Sequence, residues 1–255
     1  MSVFSRLRAA DGFTVLNAAL GFLAITYIAD RNYARAEALI LLAVLADGAD
    51  GLVARRFGPR EQDLGDYLDI MADYLSFCVA PSLLFYHLYY DVAATPLLTR
   101  PEDAMVGLAA GLMAGFGLLR LARHVADGGG LKARFTGLPT TAAGLFATLL
   151  VAVGGLGDIL TAALIGGAAV LMITEVPYPK IRGRLALPSA ALVGAAAAVA
   201  VGVVTSGSAA TIILLAALAA ASAYVFSGLL FMVLRVNLGD VPADEAVAAS
   251  PPESD

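Results

Sequence analysis

Eight apolar segments separated by short polar stretches follow one another along the chain. They cover residues 13–29, 35–54, 66–90, 104–126, 138–154, 157–175, 187–205 and 209–235. A helix needs about 20 residues to cross the hydrocarbon core of a bilayer, and a helix satisfies its own backbone hydrogen bonds there. The pattern therefore predicts an all-α polytopic membrane protein with about eight transmembrane helices, of which the fifth and sixth are short and rich in glycine.

Composition supports one membrane domain. The chain is 60% hydrophobic and 15% charged, whereas soluble domains have roughly 45–50% apolar and about 25% charged residues. We predict a single transmembrane catalytic domain over residues 1–237, followed by an acidic tail over residues 238–255 whose polar, proline-containing composition predicts disorder. The net charge of −5 argues against a nucleic acid as partner.

The distribution of basic residues orients the chain in the membrane. If the N-terminus is cytoplasmic, only three of the 16 Lys and Arg residues fall in outside loops, namely Arg31, Arg35 and Arg100. This bias fits the positive-inside rule. It predicts a multi-pass protein of the cell membrane in which the stretch from Asp47 to Asp73 faces the cytoplasm.

Four acids stand out in that stretch, at the ends of the second and third apolar segments. Asp47 and Asp50 are three residues apart, and Asp69 and Asp73 are four apart. Residues at these spacings share one face of a helix. The short intervening loop makes the two helices antiparallel neighbours, so the carboxylates are expected to converge near the membrane surface.

Like charges at such close range repel, and a hard divalent cation with oxygen ligands resolves the repulsion. We expect Mg²⁺ or Mn²⁺, as two ions that share Asp47 and Asp69. Gly51 and Gly65 leave room for a ligand near the backbone, and Arg55 can meet a phosphate. The arrangement indicates diphosphate binding and substitution at phosphorus, with a remaining carboxylate as general base.

The pattern D-x2-D-G-x2-A-R-x9-G-x3-D-x3-D, from Asp47 to Asp73, resembles the signature of CDP-alcohol phosphatidyltransferases. The resemblance implies one metal ion on Asp47, Asp50 and Asp69 and a second on Asp47, Asp69 and Asp73. It also implies Asp73 as the general base. The positions that it assigns to the CDP part of the substrate are Gly51, Ala54, Arg55 and Gly65.

Two later stretches resemble the serine branch of this family, the phosphatidylserine and archaetidylserine synthases. They are FTGLPTTAAG (residues 135–144), preceded by LRLAR, and EVPYPK (residues 175–180). L-Serine is therefore the expected acceptor, and CDP-diacylglycerol or CDP-archaeol the expected lipid donor. The opening stretch FTVLNAALG (residues 13–21), which contains Asn17, also resembles that branch. The candidate substrate residues are Asn17, Arg120, Arg123, Lys132, Arg134, Gly137, Pro139 and Thr140.

Purely structural or topological interpretations of these residues stay open. The basic ones fit inside-positive topology and anionic headgroups alone. Gly137 and Pro139 predict a turn that starts the fifth span, with the hydroxyls of Thr140 and Thr141 as caps.

Alternative functions stay open as well. Glycerol 3-phosphate or inositol phosphate could replace serine as the acceptor. A cation or proton transporter would also use intramembrane carboxylates, but it would spread them over several spans. The family resemblance also suggests a homodimer.

Overall fold

A computed structural model describes residues 9–54, 64–90, 100–126, 134–179, 185–203 and 207–237. Within these ranges the chain forms helices α1 (Ala9–Ala29), α2 (Tyr33–Ala54), α3 (Leu64–Asp73), α4 (Ala80–Tyr89), α5 (Pro101–Ala126), α6 (Thr140–Val153), α7 (Asp158–Ile173), α8 (Ala186–Ala200) and α9 (Gly207–Asn237). The predicted acidic tail, residues 238–255, lies outside the described residues.

The helices correspond to the eight predicted apolar segments, with α3 and α4 together forming the third. Four stretches are long and apolar enough to span a membrane, at Asp11–Ala29, Tyr67–Tyr89, Pro101–Ala126 and Gly207–Val233. Helices α6, α7 and α8 are apolar but have only 14, 16 and 15 residues. The 22-residue α2 has the length of a span but carries Arg35, Glu37, Asp47 and Asp50. The all-α, multi-pass membrane fold is confirmed.

A single turn of π-helix, Tyr74–Val79, joins α3 to α4. In this π segment the amide of Ala80 donates to the carbonyl of Leu75, five residues earlier. Pro81 lies one residue further on and has no amide hydrogen, so the usual α-helical ladder cannot continue unbroken through this turn. Single π turns inserted in α-helices are frequent at functional sites, and here the turn begins directly after Asp73.

Glycines from three other helices pack against three consecutive residues of the π segment. These pairs are Gly21 of α1 with Ser76, Gly144 of α6 with Phe77, and Gly117 of α5 with Cys78. A Cβ atom at position 144 would lie 2.7 Å from the carbonyl oxygen of Phe77. Since such an approach is forbidden, the absence of a side chain at these positions sets the distance between the helices.

A two-stranded antiparallel ribbon interrupts the helices. It consists of β1 (Arg134–Thr136) and β2 (Pro177–Pro179), with Phe135 opposite Tyr178. The sequence predicted loops at both places. Three-residue strands containing two prolines carry little strand signal, so their pairing depends on the helices that bring them together.

The fully buried Tyr178 anchors the ribbon to α9. Its hydroxyl donates to the carbonyl of Val225 at 2.9 Å, and its ring lies where Gly228 has no side chain. In return, the hydroxyl of Tyr224 donates to the carbonyl of Pro179 at 2.8 Å. These contacts give Tyr178 and Pro179 of the EVPYPK stretch a structural role after the end of α7.

We predict that Gly117→Ala lowers the thermal stability of the protein in detergent. The new Cβ would lie 2.9 Å from the Cβ of Cys78, and overpacking of this kind typically costs about 1–3 kcal/mol. Gly115→Ala on the same helix is the matched control, because nothing lies within 4 Å of a Cβ there. Equal unfolding temperatures for the two variants would show that the close packing does not limit stability.

Candidate active site

Three carboxylates converge at one end of the helical bundle. Asp47 comes from α2, and Asp69 and Asp73 come from successive turns of α3; one carboxylate oxygen from each lies within 4.8 Å of the others. Asp73 is buried, with 9% of its surface exposed, and the other two are half-buried. We call these three residues the acidic cluster. The convergence of α2 and α3 that the sequence predicted is confirmed for these three acids.

The acidic cluster fits a divalent cation. Carboxylates this close and this shielded from water repel one another strongly unless a positive charge or a proton separates them. Oxygen ligands from carboxylates are those that Mg²⁺ and Mn²⁺ prefer. Bringing three such ligands from two helices to one point therefore suits a metal site better than a solvated acidic surface.

The remaining motif positions lie close by in the chain. Asp50, Gly51 and Ala54 form the last turn of α2, where the backbone is helical but the side chains are not described. Gly65, the second residue of α3, is buried. Arg55 lies outside the described residues. The predicted roles of these positions toward a nucleotide stay predictions.

Asn17 of α1 holds Asp73 from the side. Its amide nitrogen donates to Oδ1 of Asp73 at 3.1 Å, and both side chains are buried. The hydroxyl of Ser76 donates to the backbone carbonyl of Asn17 at 2.9 Å. Ser76 also fills the space left by Gly21. The packing of α1 against the π segment therefore fixes the position of Asn17 relative to Asp73. Asn17 was predicted as a substrate residue, and the structure brings it to the acidic cluster.

Thr141 was missed as a site residue. Its hydroxyl donates to Oδ2 of Asp47 at 3.3 Å, across 94 positions of sequence. The sequence offered Thr140 and Thr141 as caps of α6, but the residue at the N-cap is Pro139, with no side-chain capping bond. A threonine at the start of an apolar helix carries no sign of its distant partner, so only the tertiary packing reveals the contact.

The predicted basic cluster divides into residues with different surroundings. Arg120 of α5 is buried, with 6% of its surface exposed, and interacts electrostatically with Asp73. It therefore places a positive charge beside the acidic cluster. Lys132 lies outside the described residues, and Arg134 is in β1 with its side chain not described.

Arg123, one turn further along α5, is occupied with backbone carbonyls. Its guanidinium donates to the carbonyls of Ile173 (3.0 Å), Thr136 (2.9 Å), Met172 (3.1 Å) and Thr174 (3.2 Å). It thus caps the C-terminal end of α7 and joins it to β1. Unlike Arg120, this predicted substrate residue has a structural environment.

Gly137 belongs to the same junction. It has a φ of +77°, and its amide donates to the carbonyl of Val176 at 2.8 Å. A Cβ there would lie 2.7 Å from Nη2 of Arg123, so a side chain is excluded by both conformation and space. The predicted turn before the fifth span is present, and this glycine closes it.

The fold and the acidic cluster together define a multi-pass membrane protein with a carboxylate site suited to a divalent cation. The chain belongs to the CDP-alcohol phosphatidyltransferase family, whose family model matches residues 7–174. It is therefore an enzyme of a class that takes CDP-alcohol and alcohol substrates at a membrane. The match covers the chain from α1 to the end of α7, which includes the acidic cluster, Asn17, Arg120 and Thr141.

Relatives of known name resemble the chain over most of its length. The archaetidylserine synthase of Methanothermobacter thermautotrophicus is 34% identical over 175 residues, 68% of this chain and 70% of the relative. The CDP-diacylglycerol–serine O-phosphatidyltransferase of Methanocaldococcus jannaschii is 32% identical over 182 residues, 69% of this chain and 76% of the relative. The enzyme of the same name from Bacillus subtilis is 29% identical over 174 residues, 68% of this chain and 90% of the relative.

We predict that Asp69→Asn weakens the binding of Mn²⁺ at least about tenfold, because it removes a charged oxygen ligand from the acidic cluster. Isothermal titration of the detergent-solubilised protein measures this without any substrate. Asp158→Asn is the control, since Asp158 is an exposed acid in the first turn of α7. Equal Mn²⁺ affinity in both variants would place the ion elsewhere.

We predict that Arg123→Gln lowers the unfolding temperature, because the half-buried carbonyls of Thr136, Met172 and Thr174 lose a charged donor. A buried group left without a partner costs about 1–3 kcal/mol. Arg100→Gln, at the exposed start of α5, is the control. A variant with unchanged stability and a raised KM for substrate would instead support the substrate role predicted from the sequence.

Proposed function

We propose that this protein transfers a phosphatidyl-type group, diacylglycerol phosphate or archaeol phosphate, from a CDP-lipid to L-serine and releases CMP. The observation that carries the choice of serine is the extended similarity to relatives named as archaetidylserine synthase or as CDP-diacylglycerol–serine O-phosphatidyltransferase. The site supports the reaction class, because its acidic cluster suits a metal-bound diphosphate and leaves a buried carboxylate beside it.

Asp73 is the general base in this proposal. The oxygen of the serine hydroxyl forms a bond to the lipid-side phosphorus, and its proton passes to the carboxylate of Asp73. The bond between that phosphorus and the bridging oxygen breaks, and CMP departs with the electron pair. Asn17 supports the step because its amide at 3.1 Å fixes the orientation of the Asp73 carboxylate, as a positioned base requires.

Other side chains hold the site together during the reaction. Thr141 restrains Asp47 through its hydroxyl, which keeps the carboxylate of α2 directed at the acidic cluster. Arg120 balances part of the negative charge beside Asp73 from a buried position. A buried guanidinium there can also contact a phosphate oxygen of the lipid or the carboxylate of serine.

The proposed cofactor is Mg²⁺ or Mn²⁺, as two ions. Asp47, Asp50 and Asp69 would hold one of them, and Asp47, Asp69 and Asp73 the other. When bound, such ions neutralise the diphosphate and stabilise the negative charge on the departing phosphate oxygens. The proximity of Asp47, Asp69 and Asp73 supports the shared ligand set.

The proposed setting is the cell membrane, with the acidic cluster facing the cytoplasm, where water-soluble serine is available. Basic residues near that end of the bundle support this orientation. We propose one catalytic membrane domain over residues 1–237 with the tail 238–255 outside it, and a homodimer as the assembled form.

An acceptor panel tests the function. We expect the purified protein with CDP-lipid and Mn²⁺ to release CMP when L-serine is added, and to release far less with glycerol 3-phosphate or inositol phosphate. The control is Asp73→Asn, which should release none, because the base is lost. CMP release that depends on either phosphate-bearing alcohol and not on serine would reassign the acceptor. Absence of release with all three would contradict the proposed transfer to serine.

A further inference from the structure

Two buried side-chain atoms in the described part of the chain have no hydrogen-bond partner: Oδ1 of Asn17 and Oγ1 of Thr140. Their residues are 0% and 1% exposed. A buried polar atom without a partner costs about 1–3 kcal/mol, and native proteins have few such atoms. Asn17 bonds Asp73, and Thr140 lies one turn before Gly144, on the face of α6 that packs against Phe77 of the π segment. This shared location suggests that a ligand completes their hydrogen bonds.

Asn17 presents a hydrogen-bond acceptor beside Asp73, the proposed general base. Its amide nitrogen donates to Asp73, and a carboxylate that is to receive a proton can only accept, so the nitrogen must face Asp73. The amide oxygen is then left needing a donor beside the atom that receives the proton. A ligand with an N–H or O–H group next to its reacting hydroxyl would supply that donor.

Thr140 presents a hydrogen-bond donor at the start of α6. Further along the same helix, the buried Thr148 bonds the carbonyl of Gly144 one turn earlier, at 2.8 Å. Thr140 is the first residue of α6 and has no preceding turn to bond. Its neighbours in the first turn have backbone amides without intrahelical acceptors, and Pro139 supplies no side-chain cap. A hydroxyl and backbone amide donors at the positive end of a helix suit an anion.

We infer that Asn17 and Thr140 form the binding site for the amino-acid acceptor, with Oδ1 of Asn17 accepting from its ammonium group and Thr140, at the start of α6, binding its carboxylate. The inference rests on the proposed function. Serine carries its ammonium on the carbon next to the one that bears the hydroxyl. The ammonium can therefore reach Asn17 while the hydroxyl reaches Asp73, because these two side chains are hydrogen-bonded to each other and each has an acceptor oxygen. The carboxylate extends from the same carbon toward the other unpaired group.

The test compares Thr140→Val and Thr140→Ser with Thr148→Val as the matched control. Thr140→Val should raise the KM for serine at least about tenfold, as expected for the loss of a hydrogen bond to a charged group, and leave the KM for CDP-lipid unchanged. Thr140→Ser keeps the hydroxyl and should stay near wild type. Thr148→Val should leave both KM values unchanged.

Thermal unfolding without serine separates binding from structure. Thr140→Val should unfold at the wild-type temperature or above, because valine removes an unpaired buried hydroxyl. Thr148→Val should unfold lower, because it removes a paired one. A lower unfolding temperature for Thr140→Val together with an unchanged KM for serine would overturn the inference.

Two serine fragments assign the contacts separately, as competitors of serine. The first, 3-hydroxypropionate, lacks the ammonium group, and ethanolamine lacks the carboxylate. Thr140→Val should weaken inhibition by 3-hydroxypropionate and leave inhibition by ethanolamine unchanged. Asn17→Leu should weaken inhibition by ethanolamine, leave inhibition by 3-hydroxypropionate unchanged, and also lower kcat. Any other pattern would overturn the assignment of the two groups.

The response of the wild-type protein separates failure of the acceptor site from failure of the proposed function. If it releases CMP with serine but the Thr140 and Asn17 variants keep the wild-type response to serine and its fragments, the acceptor site is wrong and the proposed function stands. If it releases no CMP with serine, the proposed function and the inference both fall.

Discussion

The π segment at Tyr74–Val79 is where three other helices of the bundle pack most closely together. Three glycines, from α1, α5 and α6, bring those helices against it at distances that a methyl group would prevent. In a membrane, where lipid competes equally well for apolar surface, such close backbone packing is a main source of association between helices. The same contacts hold Asn17 and the start of α6 at the level of Asp73, so the closure that stabilises the bundle also assembles the site.

The charged groups of the acidic cluster depend on this close packing of the helices. Carboxylates held within 4.8 Å would separate if their helices could move, and a metal ion would then lose its ligands. Asn17 and Thr141 each restrain one of these acids through a neutral group, and Arg120 adds a buried positive charge. At the neighbouring junction Arg123 ties α7 to the ribbon through backbone carbonyls, and Tyr178 ties the ribbon to α9. Hydrogen bonds thus join α1, α2, α5, α6, α7 and the ribbon at the end of the bundle that carries the acidic cluster.

Much of the molecule could be predicted from local patterns. The apolar segments located the helices in the described part of the chain, because the bilayer requires long runs of apolar residues. The spacings of Asp47, Asp69 and Asp73 predicted their convergence, because helical periodicity and a short loop leave little freedom. The roles of Arg120 and Arg123 could not be separated in this way. They lie three residues apart in one basic stretch, and only their neighbours from other helices make one a charge beside Asp73 and the other a cap of α7.

The sequence by itself determined the membrane class, the helical segments, the acidic motif and the family, since each is encoded in residues close together along the chain. The tertiary structure decided which helices meet the π segment, that α6 brings Thr141 to Asp47, and that two buried polar atoms near the cluster are left without partners. These features join residues that are far apart in the chain, such as Thr141 and Asp47, which are 94 positions apart. They depend on packing distances between whole helices, which no local pattern of residues encodes.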